Sequence, residues 1–193
     1  KELRQKGKKR RKKGTETRGK LSNITLIDER PVEINERSVP GHWEGDLIIG
    51  KDHKSALSVI VERQTRYVLI DRLENYTAPE VRKSIEKRLK KLEPELVQSI
   101  TCDQGKEMAE HEALAARIKM KVYFCHPHSP WEKGTCENTN FLIRDMLEGK
   151  TDFLNISQRE ISRIARLLYE RPRQTLGMKT PKEKFPELCA ESC

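Results

Sequence analysis

Between residues 43 and 73 the chain alternates short apolar runs with polar breaks. Residues 43–49, 56–61 and 67–73 are rich in β-branched and aliphatic side chains, and Gly50-Lys51-Asp52-His53-Lys54 and Arg63-Gln64-Thr65-Arg66 separate them. This pattern predicts three successive strands. Connections that short cannot cross over a sheet, so the strands should form an antiparallel meander. The period then changes from two to about 3.6. Val81, Ile85, Leu89 and Leu92 recur at helical spacing behind Thr77-Ala-Pro-Glu80, which has the spacing of a capping box, and Pro94 follows as a stop. Residues 96–102 predict a fourth strand, and 111–119 a second helix with Leu114 and Ile118 on one side. Met120, Val122 and Phe124 alternate with Lys121 and Tyr123 as a fifth strand. Pro127 and Pro130 bracket a loop ending at Gly134; a helix over about 135–147 follows, and a last helix over 157–169 buries Ile161, Ile164, Ala165 and Leu168.

Three meandering strands followed by helix, strand, helix, strand, helix, helix imply an α/β fold. The expected architecture is a five-stranded mixed sheet, a three-strand antiparallel meander plus two further strands, flanked by helices in the ribonuclease H-like arrangement. Residues 21–40, punctuated by Pro31 and Pro40, read as an extended or short helical lead-in, 41–188 as the core and 189–193 as a tail. Residues 1–20 contain almost nothing apolar and cannot repay their ordering entropy, which predicts a disordered basic arm.

Charge sharpens that division. The net charge is +9, yet 11 of the 39 Lys and Arg lie in residues 1–20 beside only Glu2 and Glu16, which leaves 28 basic and 28 acidic residues in the rest of the chain. The arm, with Lys8, Lys9, Arg10 and Arg11, is a candidate for DNA phosphate contact and reads alternatively as a solvated tail. From Leu21 onward a polyanion would need local patches or metal ions. Five cysteines, with no CxxC pair, argue against a secreted disulfide framework and for a reducing cytosol. The sequence has no apolar run near 18 residues and no signal-peptide pattern, so it points to neither a membrane span nor export. The chain begins with Lys rather than Met, which suggests that something upstream is missing. At 5% aromatic and 36% charged residues, the core must be lean and aliphatic.

Three carboxylates carry the candidate chemistry. In the first strand, period two puts His42, Glu44, Asp46 and Ile48 on one face, where a charge is costly unless paired or metal-bound. Asp46 reads equally as an edge-strand residue facing water. Asp103 follows the fourth strand, where α/β sheets place reactive groups, and reads alternatively as a helix cap. Glu137 lies near a helix start, a position the helix dipole favours in any case, with Asn140, Phe141 and Arg144 on its face. Together the three acids would supply the hard oxygen ligands that two divalent ions need for phosphodiester chemistry. Cys125, His126, His128 and Cys136 can also be drawn as a zinc site, though their spacing fits no common structural motif.

The flanking sequences of these acids resemble those of a known family. Gly41-His-Trp-Glu-Gly-Asp-Leu-Ile48, Asp103-Gln-Gly-Lys-Glu107, Ser129-Pro-Trp-Glu-Lys-Gly-Thr-Cys-Glu-Asn-Thr-Asn140 and Arg171-Pro-Arg-Gln-Thr-Leu-Gly-Met-Lys-Thr-Pro181 look like the insertion-sequence-thirty family of bacterial transposases. These belong to the retroviral-integrase-like group with two aspartates and a glutamate. The resemblance implies Asp46, Asp103 and Glu137 as catalytic, metal-holding carboxylates. It also implies two Mg²⁺ ions, which Mn²⁺ can replace, and DNA strand cleavage and transfer in a bacterial cytoplasm. DNA (element ends and target) and further copies of the chain are the implied partners, with no membrane and no organic cofactor. The DNA-contact candidates in the core are Trp131, Lys133, Asn140, Arg144, Arg171 and Arg173. The family also carries an amino-terminal helix-turn-helix region. Gln104 and Cys136 stand where the family usually has Asn, and Met108 where it usually has Phe. Two other readings fit the same chain: a truncated, inactive fragment that binds DNA or other subunits, and a ribonuclease H-type nuclease.

Overall fold

The alternation over 43–73 folds into the meander it predicts. The computed structural model describes residues 21–147 and 152–185; the basic arm with Lys8, Lys9, Arg10 and Arg11, the Glu148–Lys150 segment and the 189–193 tail lie outside them. In chain order the elements are β1 (Thr25–Leu26), α1 (Val32–Glu36), β2 (His42–Ile49), β3 (Ala56–Glu62), β4 (Val68–Leu73), α2 (Ala78–Leu89), β5 (Ser99–Cys102), α3 (His111–Ile118), β6 (Lys121–Phe124), α4 (Gly134–Met146) and α5 (Gln158–Tyr169).

The sheet has six strands in the order β1-β6-β5-β2-β3-β4, against the five expected. β2, β3 and β4 pair antiparallel, and β5, β6 and β1 continue the sheet in parallel. The sixth strand comes from the lead-in: Thr25 and Leu26 sit opposite Tyr123 and Phe124. Two residues are too few for a periodic signal, so only the pairing reveals this strand. Buried Arg30 holds the lead-in down by donating to Thr101 Oγ1 at 3.1 Å and Asn35 Oδ1 at 2.8 Å. The capping box before α2 does not form. Thr77 makes no side-chain cap bond, and Glu80 accepts instead from Lys83 Nζ at 3.2 Å.

Both faces of the sheet are covered. Trp43, Ile60 and Ile100 pack with Leu89 of α2 and Leu114 of α3, while Ile48, Val59 and Val61 pack with Ile143 of α4 and Ile161, Ile164 and Leu168 of α5. Each such burial is worth roughly 1.5–3 kcal/mol against exposure. Trp43 keeps its indole N–H satisfied by donating to Leu96 O at 2.8 Å. Gly45 lies where a Cβ would come 2.9 Å from Ile100 Cδ1 and 3.0 Å from Cys102 Sγ. Its missing side chain lets the side chains of β5 pack closely over β2 beside Asp46.

Candidate active site

The register that sets Glu44 opposite Thr101 brings Asp46, two residues on, level with Asp103 just past the end of β5. Their carboxylates converge on one cation. Lys133 Nζ stands 3.2 Å from Asp46 Oδ1 and 2.8 Å from Asp103 Oδ2, and donates to Gly45 O at 3.3 Å. Lys133 ends the 3-10 turn Pro130–Lys133 that leads into α4, and its side chain is only 4% exposed. The aspartates are more open, at 32% and 54%. Burial alone would depress the Lys133 ammonium, but Asp46 and Asp103 outweigh it and hold its pKa well above the ordinary lysine value.

The two aspartates are steadied from behind. Asn140, one turn beyond Glu137 on α4, donates from Nδ2 to Asp46 Oδ2 at 2.8 Å, which leaves Oδ1 for Lys133. Gln104 Nε2 donates to Cys125 O at 2.9 Å and so ties the turn carrying Asp103 to the end of β6. The N-terminus of α4 is pinned where the Cys136 backbone N–H donates to Glu44 Oε2 at 2.8 Å, and Arg63 Nη1 pairs with Glu44 Oε1 at 2.5 Å. The Cys136 thiol turns away into the core, with Val59 O as its acceptor. Gln104 thus braces the turn beside Asp103 through its side chain, and Cys136 braces the start of α4 through its backbone.

Glu137 is exposed in the first turn of α4. Among the described residues no three His, Cys, Asp or Glu side chains stand close enough together to hold a metal ion. The structure thus brings two of the three predicted acids together around the Lys133 ammonium, and Glu137 does not join them in a cluster of three.

Three residues have roles that differ from their first reading or were missed. Lys133 and Asn140, read as DNA contacts, are buried and bonded to the aspartates, so neither presents itself to a phosphate. Glu107, missed as a site residue, folds back over Gly105 and lines the same wall as Asp46 and Asp103. Burial first, then the charges of Asp103 and Asp46, push its carboxyl above the usual range. Its place four residues after Asp103 was the only local signal. Of the other DNA-contact candidates, Trp131 is 72% exposed, Arg144 and Arg171 are exposed and Arg173 is half-buried. The drawn zinc set does not converge. Cys125 and Cys136 are buried, and His126 bridges Glu132 and Asp28 at 2.9 and 3.0 Å.

Comparison with known proteins shows what this chain is similar to. Residues 36–130 match the integrase core domain family. The chain is 45% identical to the transposase for insertion sequence element IS1086 of Cupriavidus metallidurans over 93% of this chain and 53% of that protein. It is 40% identical to the transposase InsI for insertion sequence element IS30A of Escherichia coli over 92% of this chain and 46% of that protein. This chain is a homologue of the insertion-sequence transposases. It spans about half the length of the relatives it matches. Its fold is that of the catalytic core domain of BIV integrase, with a TM-score of 0.63 at 20% identity over 79% of this chain and 97% of that one. The ribonuclease H-like arrangement expected for a transposase core is therefore present, with one added edge strand. Among the described residues no helix is long and apolar enough to cross a membrane.

Proposed function

We propose that this chain is the catalytic part of a transposase, which cuts DNA at the ends of a mobile element and joins them to a target. The observation that carries this reading is the convergence of Asp46, within β2, and Asp103, just past the end of the parallel neighbour β5, on a single buried cation position of an integrase-type sheet. A donor set that already gathers around an ammonium fits a hard divalent cation, which prefers carboxylate oxygen. Asp46 and Asp103 would hold Mg²⁺, or Mn²⁺ in its place, with Glu137 joining them from α4. Two such ions would neutralise charge on the attacking and leaving oxygens of the phosphodiester.

The protein's own part is positional. Asn140 fixes the rotamer of Asp46, Gln104 fixes the turn of Asp103, and Glu44 fixes the helix that carries Glu137. In the first step a water oxygen bonds to phosphorus as the P–O3′ bond breaks, leaving a 3′-hydroxyl and a 5′-phosphate. In the second, that 3′-oxygen bonds to a target phosphorus, the target P–O3′ bond breaks, and the attacking hydroxyl proton passes to solvent. DNA is both substrate and partner, the acting species is an assembly of several copies on DNA, and the setting is a bacterial cytoplasm.

The test is cleavage and strand transfer on a labelled duplex carrying the ends that flank the gene, with Mn²⁺ supplied. Asp103→Ala should abolish both products while leaving DNA binding nearly intact. Undiminished cleavage by that variant overturns the assignment.

A further inference from the structure

A second constellation lies around the corner of α4 from the carboxylates. A cleft of about 220 Å³ is lined by Arg37, Arg66, Thr135, Thr139 and Arg173, among others. The three arginines come from separate parts of the chain: Arg37 from the left-handed cap of α1, Arg66 from the β3–β4 turn, and Arg173 from the segment after α5. Arg37 Nη2 and Arg66 Nη1 both donate to the same neutral acceptor, Thr135 Oγ1, at 3.0 and 2.5 Å. Arg173 Nε is buried with no hydrogen-bond partner. Among the described residues none of the three forms an ion pair with a carboxylate. The negative charges behind Arg66 belong to Glu44 and Glu62. Glu44 is already committed to Arg63 and Cys136 N, and Glu62 Oε2 to the backbone and hydroxyl of Thr65.

Gathering two guanidiniums on one hydroxyl, with a third lining the same cleft, is unfavourable unless an anion completes the site. Burial and then the neighbouring Arg37 lower Arg66 to about 10, and burial and then Arg171 lower Arg173. The cleft also opens on the first turn of α4, where Gly134 has open space on its Cα and the helix dipole favours negative charge. Planar five-donor forks suit phosphate oxygens two at a time. Thr135 precedes Glu137 by two residues, roughly 3 Å of rise and about 200° of turn. A strand held in the cleft would therefore cross the N-terminus of α4 to reach Asp46 and Asp103.

From this geometry we infer that the cleft of Arg37, Arg66 and Arg173 at the start of α4 is a phosphate subsite, which takes one backbone phosphate of the DNA strand at a distance from the reacting one. The inference rests on the reading that DNA is this protein's substrate. Bound phosphate replaces Thr135 Oγ1 as the acceptor for Arg37 and Arg66 and supplies the missing partner of Arg173 Nε.

The experiment is equilibrium binding of the full chain to a labelled duplex without divalent metal, between about 50 and 200 mM KCl. Arg66→Gln and Arg173→Gln should each weaken binding about tenfold at the lower salt and flatten the slope of log K against log salt by about one. Lys87→Gln, which removes a charge from the exposed face of α2, should change neither. Thermal melting identifies a variant that fails to fold. Arg173, half-buried near the surface, carries the test if Arg66→Gln is lost. Unchanged affinity and slope in Arg173→Gln, or an equal drop in Lys87→Gln, overturns the subsite. The two readings fail separately. Wild-type protein that cuts DNA while its arginine variants bind normally sinks only the subsite, whereas arginine-dependent binding without cutting sinks only the nuclease assignment.

Discussion

Two carboxylates on one face of β2, two residues apart, have opposite fates. Glu44 is completely buried, clamped between Arg63 and the Cys136 backbone N–H, and every partner it has is fixed. Asp46 is about a third exposed and shares its lysine with Asp103. The same charge at the same pleat is a strut in one case and a partly open carboxylate, proposed as reactive, in the other. What separates them is the cover. α4 meets Glu44 at its first turn through the Cys136 backbone N–H, and from that helix Asn140 hydrogen-bonds Asp46. A buried acid in a strand marks a function only when its counter-charge can be displaced.

Four substitutions would break or sharpen that contrast. The largest effect is expected from Asp46→Asn, which should slow strand cleavage by about 10³-fold or more with a melting temperature close to wild type. A large fall in melting temperature would make Asp46 another strut. Glu44→Ala should do the reverse. Leaving Arg63 buried and unpaired costs about 3–5 kcal/mol, or roughly 6–20 °C in melting temperature for a domain of this size. Unchanged thermal stability would remove the distinction.

His42, on the same face as Glu44, tests it through pH. Its ring donates to or accepts from Ser99 Oγ at 2.8 Å, and burial, then Arg63 and Arg30, lower its pKa to about 4. Because the folded value lies below the unfolded one, the unfolded chain takes up the proton first. The stability contribution is intact above the unfolded pKa of about 6.5 and is lost as pH falls toward about 4. His42→Asn should therefore lose about 2 kcal/mol less than wild type between pH 7 and pH 4.5 in urea denaturation. Parallel profiles for the two proteins would contradict the assignment. The smallest effect should come from Lys133→Met. Removing the ammonium from between Asp46 and Asp103 should tighten Mn²⁺ binding about tenfold in calorimetry. Unchanged or weaker binding would show that the lysine does not compete for that position.

Much of this was legible in the chain. The meander, the two later strands and four of the helices stand within a few residues of where alternation and helical spacing put them, and Pro94 and Gly134 punctuate as expected. The aspartate pair was legible only in outline. Period two gave Asp46 its face and the end of β5 gave Asp103 its place, but nothing local put Lys133 between them. Lys133 and Asn140 looked like surface residues because a basic and an amide side chain near a helix start usually are. Glu44 drew no notice beside Asp46 because alternation assigns faces and not partners. The two-residue strand at Thr25 is too short to repeat.

Strand and helix positions are therefore what the sequence determined by itself, since periodicity, turn residues and proline stops act over a few residues. The motifs around Asp46, Asp103 and Glu137 likewise pointed to transposase chemistry before any coordinate. Only the tertiary structure decided that Glu44 is a strut, that Lys133 holds the place between the aspartates, and that Arg37, Arg66 and Arg173 line one cleft with Thr135. Those outcomes depend on burial and charge pairing among residues tens of positions apart, such as Lys133 and Gly45 or Arg37 and Thr135. They depend on register and helix docking, which no local pattern encodes.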